Sequence, residues 1–466
     1  MTSYTALFQR KDDPTRGRHL TASQDIAKGE LILVERPLLS MQTLGNSHDG
    51  ALCCRCCQAF IGGPDLCLMV ASGKLNREKV WDYYRNHEDE ICREKSYKIW
   101  SCRNNCGELF CSQECERNMW SSCGHDLLCT GLIEEPTDYE PDHNLHPLLE
   151  FKVHAVQTNE IFIMVADLVA SVISLRRQQI EYNLKNENGN CEEVTLEELM
   201  APYLDFTLVP WFEVATAPMM HDPTKKEECE ELKKELREMC NISSTLLKRA
   251  ITANISQKQD DGIFQQTLEQ ALVEFESHVG LNEEFFGKII GSFEQNAMGI
   301  RARHPLCRDI LEDHDLRVRR HSDILKCFKV AGYEGSEEFQ DQEINEVVQN
   351  DQVERGLDGS STDSDSDELK RDGYSIDDIA EILAGMYIDE QGLTTNVQQE
   401  DTENDLDVAI TTEQQESGGD SLEQIFFPLD GTAMYSLTCK MNHSCDPNVV
   451  ARYRYSCSGG GKCSRW

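Results

Sequence analysis

The chain has 466 residues, a formal net charge of −38 and 39% hydrophobic residues. This length is enough for two or three domains, or for one domain with large insertions, and the apolar content supports a folded core. Sequence-independent binding of nucleic acid is excluded as a leading hypothesis, because a polyanion repels an acidic protein. A basic partner such as a histone tail fits the charge better.

The N-terminal segment Met1 to Asp13 is polar and has no secretory h-region. The longest apolar run, Ile161 to Leu175, is too short to span a bilayer and is interrupted by Asp167, so we expect a buried helix there. These features predict a soluble intracellular protein, in the nucleus, the cytoplasm or both, where thiols stay reduced.

The first folded segment, residues 17–44, is predicted to be β-rich. Ala27-Lys28-Gly29 is typical of a turn, and Glu30 to Arg36 (ELILVER) predicts a strand that Pro37 ends.

Cysteine dominates the next segment, residues 53–129, which contains 12 of the 21 cysteines in the chain. The pattern is Cys54-x2-Cys57, Cys102-x3-Cys106, Cys111-x3-Cys115 and His125-x3-Cys129. Ligands separated by two or three residues can bind one ion, and zinc prefers four thiolate or imidazole ligands in a tetrahedron. Eight such ligands therefore predict two zinc ions.

Two ligand assignments stay open in this segment. Cys53-x2-Cys56 has the same spacing as Cys54-x2-Cys57, and Cys123 lies close enough to His125 to replace a ligand. Disulfides or plain buried thiols are the alternative to zinc, and a reducing compartment disfavours disulfides.

The middle of the chain is predicted to be helical. Leu148 to Ile180 indicates one or two apolar helices, and Lys225 to Arg249 indicates a charged amphipathic helix. Phe285 to Ile300 is apolar and contains Gly287 and Gly291, which predicts a close backbone approach to a neighbouring element.

Residues 337–423 hold 27 acidic residues and three basic ones, a net charge of −24. Such a composition buries too little apolar surface to fold alone, so we predict an acidic disordered insertion. Within it, Ser375 to Tyr387 is predicted to form a short helix.

A compact polar block follows, Met441-Asn442-His443-Ser444-Cys445-Asp446-Pro447-Asn448. It resembles the NHSCxPN signature of SET-domain lysine methyltransferases, especially those that also carry a MYND finger. The resemblance implies that Asn442 and His443 contact S-adenosylmethionine. The plain alternative is a surface turn rich in Asn, Ser and Pro.

The same resemblance extends to other segments in the same order along the chain. Arg16-Gly17-Arg18-His19-Leu20 is similar to a cofactor-contacting turn of the family, which implies roles for Gly17 and Arg18, although His19 replaces a usual second glycine. Asn296 matches the family's N-x-x-x-I cofactor contact, and the plain alternative is an asparagine that ends a helix.

The resemblance also implies how the metal ligands are grouped. Related MYND fingers are cross-braced, so one zinc ion would take the set Cys54, Cys57, Cys111 and Cys115. The other would take the set Cys102, Cys106, His125 and Cys129. In the family, the cysteine that corresponds to Cys445 binds a further zinc ion with three later cysteines, which do not follow in the expected place in this sequence.

The implied fold class is α+β, with a β-rich SET domain split by a MYND-like finger and a helical insertion. The expected ranges are a SET N-terminal part (1–50), the finger (51–130), the helical insertion (131–284), a SET core part (285–336), the acidic insertion (337–423) and an incomplete SET C-terminal part (424–466).

The implied function is S-adenosylmethionine-dependent protein-lysine N-methylation, with a histone or another lysine-containing protein as substrate and possible protein partners for the finger. The pattern is most similar to plant trithorax-related SET proteins that bear a MYND-like finger. The tyrosine-containing segment that closes the family's active site does not follow the NHSC block, so we expect a C-terminally truncated chain and leave catalytic residues unassigned. The alternative is a catalytically inactive interaction protein.

Overall fold

The computed structural model describes residues 7–14, 17–71, 74–87, 98–132, 146–185, 194–257, 262–304, 427–441 and 448–451. These residues form helices and small antiparallel sheets, in agreement with the predicted α+β class. Three predictions lie outside the described residues: the disordered insertion 337–423, the short helix from Ser375 to Tyr387, and the roles of Asn442, His443 and Cys445.

The strands are β1 (Phe8–Asp13), β2 (Gly17–Ala22), β3 (Leu39–Gln42), β4 (Trp100–Ser101), β5 (Leu109–Phe110), β6 (Met298–Ala302) and β7 (Leu429–Met434). The α-helices are α1 (Leu44–Asp49), α2 (Pro64–Ala71), α3 (Val80–Asn86), α4 (Gln113–Ser121), α5 (Pro147–Thr158), α6 (Ile161–Lys185), α7 (Leu196–Leu204), α8 (Trp211–Thr216), α9 (Lys226–Gln257), α10 (Gly262–His278) and α11 (Glu283–Asn296). A short 3-10 helix, Thr438–Lys440, follows β7.

Segments far apart in sequence meet in one sheet of order β3-β7-β6. Leu39 pairs with Met434, and Met298 pairs with Ala433, so β7 is the central strand and both neighbours run antiparallel to it. The strands β1 and β2 form a separate antiparallel pair, as do β4 and β5. The sheet around β7 therefore joins the early, middle and late parts of the chain.

The main hydrophobic core lies among the helices between residues 146 and 296, and β3 and β7 also contribute to it. The predicted apolar stretch from Leu148 to Ile180 is two helices, α5 and α6, and α6 is buried along most of its length. The predicted amphipathic helix is α9, with Leu236 and Leu247 buried. None of the helices in the described ranges is long and apolar enough to cross a membrane.

Glycines in α11 permit close packing, as the sequence predicted. A Cβ atom at Gly291 would lie 1.9 Å from the carbonyl oxygen of Val209, and one at Gly287 would lie 2.9 Å from the ring of Phe212. Since real Cβ atoms do not approach other atoms so closely, only glycine lets α11 lie directly against the segment that enters α8.

The predicted strand from Glu30 to Arg36 is wrong. These residues belong to no strand, and the side chains of Leu31 and Val34 are 72% and 67% exposed. Apolar residues favour a strand only where a pairing partner and a packing surface exist. Residues 30–36 pair with no strand among the described residues, and Leu31 and Val34 have little packing surface. The preceding turn is confirmed, because Gly29 has φ +87° and the Glu30 amide donates to the Ala27 carbonyl at 3.1 Å.

Candidate functional site

The structure groups four cysteine side chains into a first cluster, formed by Cys54, Cys57, Cys111 and Cys115. The Sγ atoms of Cys57 and Cys111 are 3.6 Å apart, and those of Cys111 and Cys115 are 3.4 Å apart. A tight turn after Cys54 brings Cys57 back, because the amide of Gln58 donates to the Cys54 carbonyl at 2.9 Å. Cys115 is held at the start of α4, where its amide donates to the Ser112 hydroxyl.

A second cluster contains Cys102, Cys106, His125 and Cys129. The Sγ atoms of Cys102 and Cys129 are 3.7 Å apart, and Cys106 Sγ lies 3.4 Å from His125 Nε2. The strands β4 and β5 support this cluster, because the Cys102 amide donates to the Glu108 carbonyl across the hairpin. Pairs from separate parts of the segment alternate between the two clusters, so the two sites are cross-braced.

The spacing of the donor atoms fits tetrahedral zinc. Zinc–sulfur bonds of about 2.3 Å place two ligand sulfurs about 3.8 Å apart in a tetrahedron, close to the separations above. A disulfide would need about 2.05 Å, and none of the described cysteines forms one. The groups are the two sets of four that the family resemblance implies. The first supplies four thiolates and the second three thiolates and one imidazole, which are donors that zinc prefers.

The alternative ligands lie beside these clusters without joining them. Cys53 is buried in an isolated bridge with Phe60. Cys56 and Cys123 both accept hydrogen bonds from Asn118 Nδ2, at 3.5 and 3.8 Å. Asn118 was not singled out from the sequence, because an asparagine in a charged helix gives no local signal of a thiol partner.

The finger is fixed to α6 by an ion pair and by close packing. Arg55, within the first cysteine pair, donates to the buried carboxylate of Asp167 on α6. At Gly124, which has φ +73°, a Cβ atom would lie 2.4 Å from the Ala170 backbone. The metal clusters are thus held in a defined position against the helical core.

The predicted cofactor residues Gly17 and Arg18 begin β2. Gly17 has φ +65°, a backbone conformation that favours glycine, and its carbonyl accepts a hydrogen bond from the buried His19 ring at 2.9 Å. Arg18 Nη1 donates to Asp205 Oδ1 at 2.7 Å. The strand β2 also contacts the short helix Thr438–Lys440, which ends two residues before Asn442.

That short helix is capped by one carboxylate from a distant segment. Glu35 Oε1 accepts from the Ser436 hydroxyl and the Leu437 amide, and Glu35 Oε2 accepts from the Thr438 amide and hydroxyl, all at 2.8 Å. The cap fixes the direction of the chain as it approaches Asn442.

Asn296 is the last residue of α11, directly before the region that forms β6. Its Nδ2 donates to the Ser292 carbonyl at 2.8 Å, so its side chain is used within its own helix here. The pairing of β6 with β7 connects Asn296 to the strand that leads into Thr438–Lys440. The roles of Gly17, Arg18 and Asn296 toward a cofactor stay predictions.

Comparison with known proteins gives curated relatives at low identity. The chain is 24% identical over 338 residues to the histone-lysine N-methyltransferase ATXR2 of Arabidopsis thaliana, covering 64% of this chain and 65% of that protein. It is 25% identical over 191 residues to the protein-lysine N-trimethyltransferase SMYD5 of Danio rerio, covering 40% of this chain and 43% of the relative. The human SMYD5 is 26% identical over 191 residues, with the same coverage.

The chain therefore spans 65% of the plant relative and less than half of the animal ones that it matches. No family model matches the chain, and no solved structure matches it. The similarity and the two cysteine-rich clusters confirm the resemblance to lysine methyltransferases with a zinc finger that the sequence motifs indicated.

Proposed function

We propose that this chain, which is similar to protein-lysine methyltransferases, transfers a methyl group from S-adenosylmethionine to a lysine side chain of a protein, and that histones are its substrate class. The observation that carries the proposal is the similarity to a histone-lysine methyltransferase along 64% of the chain. The contact between β2 and Thr438–Lys440 supports it. The strand β2 begins with Gly17 and Arg18, and Asn442 and His443 follow Thr438–Lys440 in the sequence.

The chemistry requires little reactivity from the chain itself. S-adenosylmethionine, when bound, supplies a methyl group already activated by its sulfonium, so the protein needs no nucleophile of its own. Gly17, Arg18, Asn296, Asn442 and His443 are the residues proposed to hold the cofactor. The rest of the site must orient a neutral lysine amine, and burial of that amine favours its neutral form.

The two four-ligand clusters are proposed to hold zinc in structural sites. Each cluster already supplies four protein donors, so neither leaves the open position that a catalytic zinc uses. Metal binding would stabilise the finger, which packs on α6, and would take no part in methyl transfer. The proposal that Cys445 binds a further zinc ion concerns a residue outside the described ranges.

Charge supports a basic protein substrate. The formal net charge of −38 attracts a lysine-rich tail and repels nucleic acid. We propose that the protein acts in the nucleus, the cytoplasm or both, where such substrates are available, and that the finger binds further protein partners.

The test is a methyl-transfer assay with the purified 466-residue chain, radiolabelled S-adenosylmethionine and core histones. The expected result is label on histone that is lost when Asn442→Ala or His443→Ala replaces the parent chain. Absence of label on histones and on other lysine-rich proteins would overturn the proposed activity. Cofactor binding without transfer to any of them would favour the catalytically inactive interaction protein.

A further inference from the structure

Asp205, at the C-terminal end of α7, binds three cations from three other segments of the chain. Its carboxylate accepts two hydrogen bonds from Arg10 of β1, both at 2.7 Å. It accepts one from Arg18 of β2 at 2.7 Å and one from Lys440 Nζ at 2.6 Å. One carboxylate of the helical region thus connects the hairpin β1–β2 with the short helix Thr438–Lys440.

Lys440 depends on this carboxylate more than the two arginines do. Its side chain is only 6% exposed, whereas those of Arg10 and Arg18 are 43% and 34% exposed. A buried ammonium is costly unless it is paired and hydrogen-bonded. The ring of Phe206, 4.9 Å from Lys440 Nζ, adds a favourable contact but does not replace the carboxylate.

The hydrogen-bonded cations favour the ionised form of Asp205. Hydrogen bonding from Arg10, followed by that from Lys440, holds the pKa of Asp205 well below its usual range. The carboxylate therefore stays ionised at neutral pH and binds the three cations in that state. Since three like charges would repel one another without it, Asp205 keeps Arg18 and Lys440 beside each other.

We infer that Asp205 is a positioning residue for the proposed cofactor site. It holds Arg18 and the segment that enters Asn442 at a fixed separation, without touching the cofactor itself. The inference rests on the proposed function, because it takes Gly17, Arg18, Asn442 and His443 as the cofactor-binding set. It assigns the helical insertion a part in cofactor affinity, through pre-organisation of the site rather than through a direct contact.

Two ligands separate positioning from a simple charge effect. S-adenosylmethionine carries one more positive charge than S-adenosylhomocysteine, at the sulfonium. If Asp205 acted only through its charge, Asp205→Asn would change the affinity for the two ligands unequally. If it positions the site, both affinities fall by the same factor, because both ligands use the same contacts.

The experiment measures the dissociation constants of both ligands by calorimetry, for the parent chain, for Asp205→Asn and for Glu197→Gln. Glu197 is exposed on α7, so its replacement removes one negative charge from the same helix and serves as the control. We expect Asp205→Asn to weaken both ligands equally, by about tenfold or more, and Glu197→Gln to change neither.

Asp205→Glu keeps the charge but moves it by one methylene, and it decides the question if Asp205→Asn does not fold. We expect it also to weaken both ligands equally. Two results would overturn the inference and leave the proposed function standing. One is parent-like affinity in the folded Asp205 variants, and the other is a loss of affinity for only one of the two ligands. Absence of binding by the parent chain would overturn the proposed function, and the inference with it.

Discussion

The carboxylate of Glu35 accepts four hydrogen bonds from residues Ser436 to Thr438, at the start of the short helix before Asn442. Glu35→Gln keeps the size of the side chain but replaces one acceptor oxygen with a donor. Since a hydrogen bond to a charged group contributes about 1.5–3 kcal/mol, we expect the free energy of unfolding to fall by about 2 kcal/mol in a denaturant titration. Glu30→Gln, in the exposed turn at Ala27, is the matched control; an equal loss in both variants would contradict the capping role.

His304 makes stability depend on acid. It is 1% exposed, and burial lowers its pKa to about 3. In the unfolded chain His304 takes up a proton as the pH falls through about 6.5. In the folded protein it stays neutral until the pH approaches 3. The free energy of unfolding is therefore unaffected by this group above about pH 6.5. It falls by about 1.4 kcal/mol per pH unit as the pH is lowered toward 3.

Denaturant titrations between pH 7 and pH 5 check this dependence. The parent chain is expected to lose stability on acidification more steeply than His304→Gln, although the variant is less stable at pH 7. Both proteins contain the cysteine clusters. The difference between their free energies of unfolding at each pH therefore removes the effect of acid on those clusters. Parallel pH profiles would show that His304 does not cause the slope.

Some residues were predictable because their signal is local. The cysteine pairs have ligand spacing that is read directly from the sequence, and the turn at Gly29 follows from its neighbours. Asp205 gives no such signal, because its partners Arg10, Arg18 and Lys440 lie between 187 and 235 residues away. An aspartate directly after a helix is ordinary in sequence, and only the fold makes it a shared partner of three cations.

At the scale of elements, the finger offers a test that separates ligands from neighbouring thiols. The purified chain is expected to hold two zinc ions in these clusters, and Cys57→Ser is expected to lose the ion of the first cluster because that set then has three thiols. Elemental analysis against protein concentration measures the change. Cys56→Ser removes a thiol from the same turn and should keep the parent's zinc content; equal loss in both variants would contradict the assignment.

The helices were more predictable than the strands, for a physical reason. The apolar positions of α9 repeat with helical spacing, so one window of sequence contains the whole signal. The segment from Glu30 to Arg36 has the composition of a strand, but a strand also needs a partner, which composition does not reveal. Its Glu35 instead caps Thr438–Lys440, a contact across about 400 residues.

At the scale of the whole molecule, charge gives a test of the proposed histone substrate. The net charge is −38, of which −24 lies in residues 337–423. Long-range attraction of a histone tail is screened by salt, with a Debye length of about 10 Å at 0.1 M. We expect KM for a histone substrate to rise with sodium chloride concentration, while kcat changes less.

Steady-state assays at several salt concentrations measure this dependence. A short, nearly neutral peptide that contains one acceptor lysine is the control substrate, and its KM should respond weakly to salt. A KM for histone that is independent of salt would contradict electrostatic attraction as the source of substrate preference.

The α+β class was predictable, whereas the strand order β3-β7-β6 was not. Alternating residues indicate a strand, but nothing in residues 39–42 or 298–302 specifies pairing with β7. Only the family resemblance suggested that early, middle and late segments form one domain. The order of segments along the chain carried this information, not the periodicity of any one of them.

The central position of β7 has a consequence for how the protein folds as it is made. Leu39 leaves the ribosome long before Met434, its partner, and β6 also precedes β7. Until β7 arrives, β3 and β6 each lack the neighbour between them, and unpaired strands promote aggregation. The cysteine clusters are complete once Cys129 is made, so the finger can bind zinc and fold first. The β3-β7-β6 sheet can form only after β7 has been made, and chaperones that cover strand edges are expected to act during that interval.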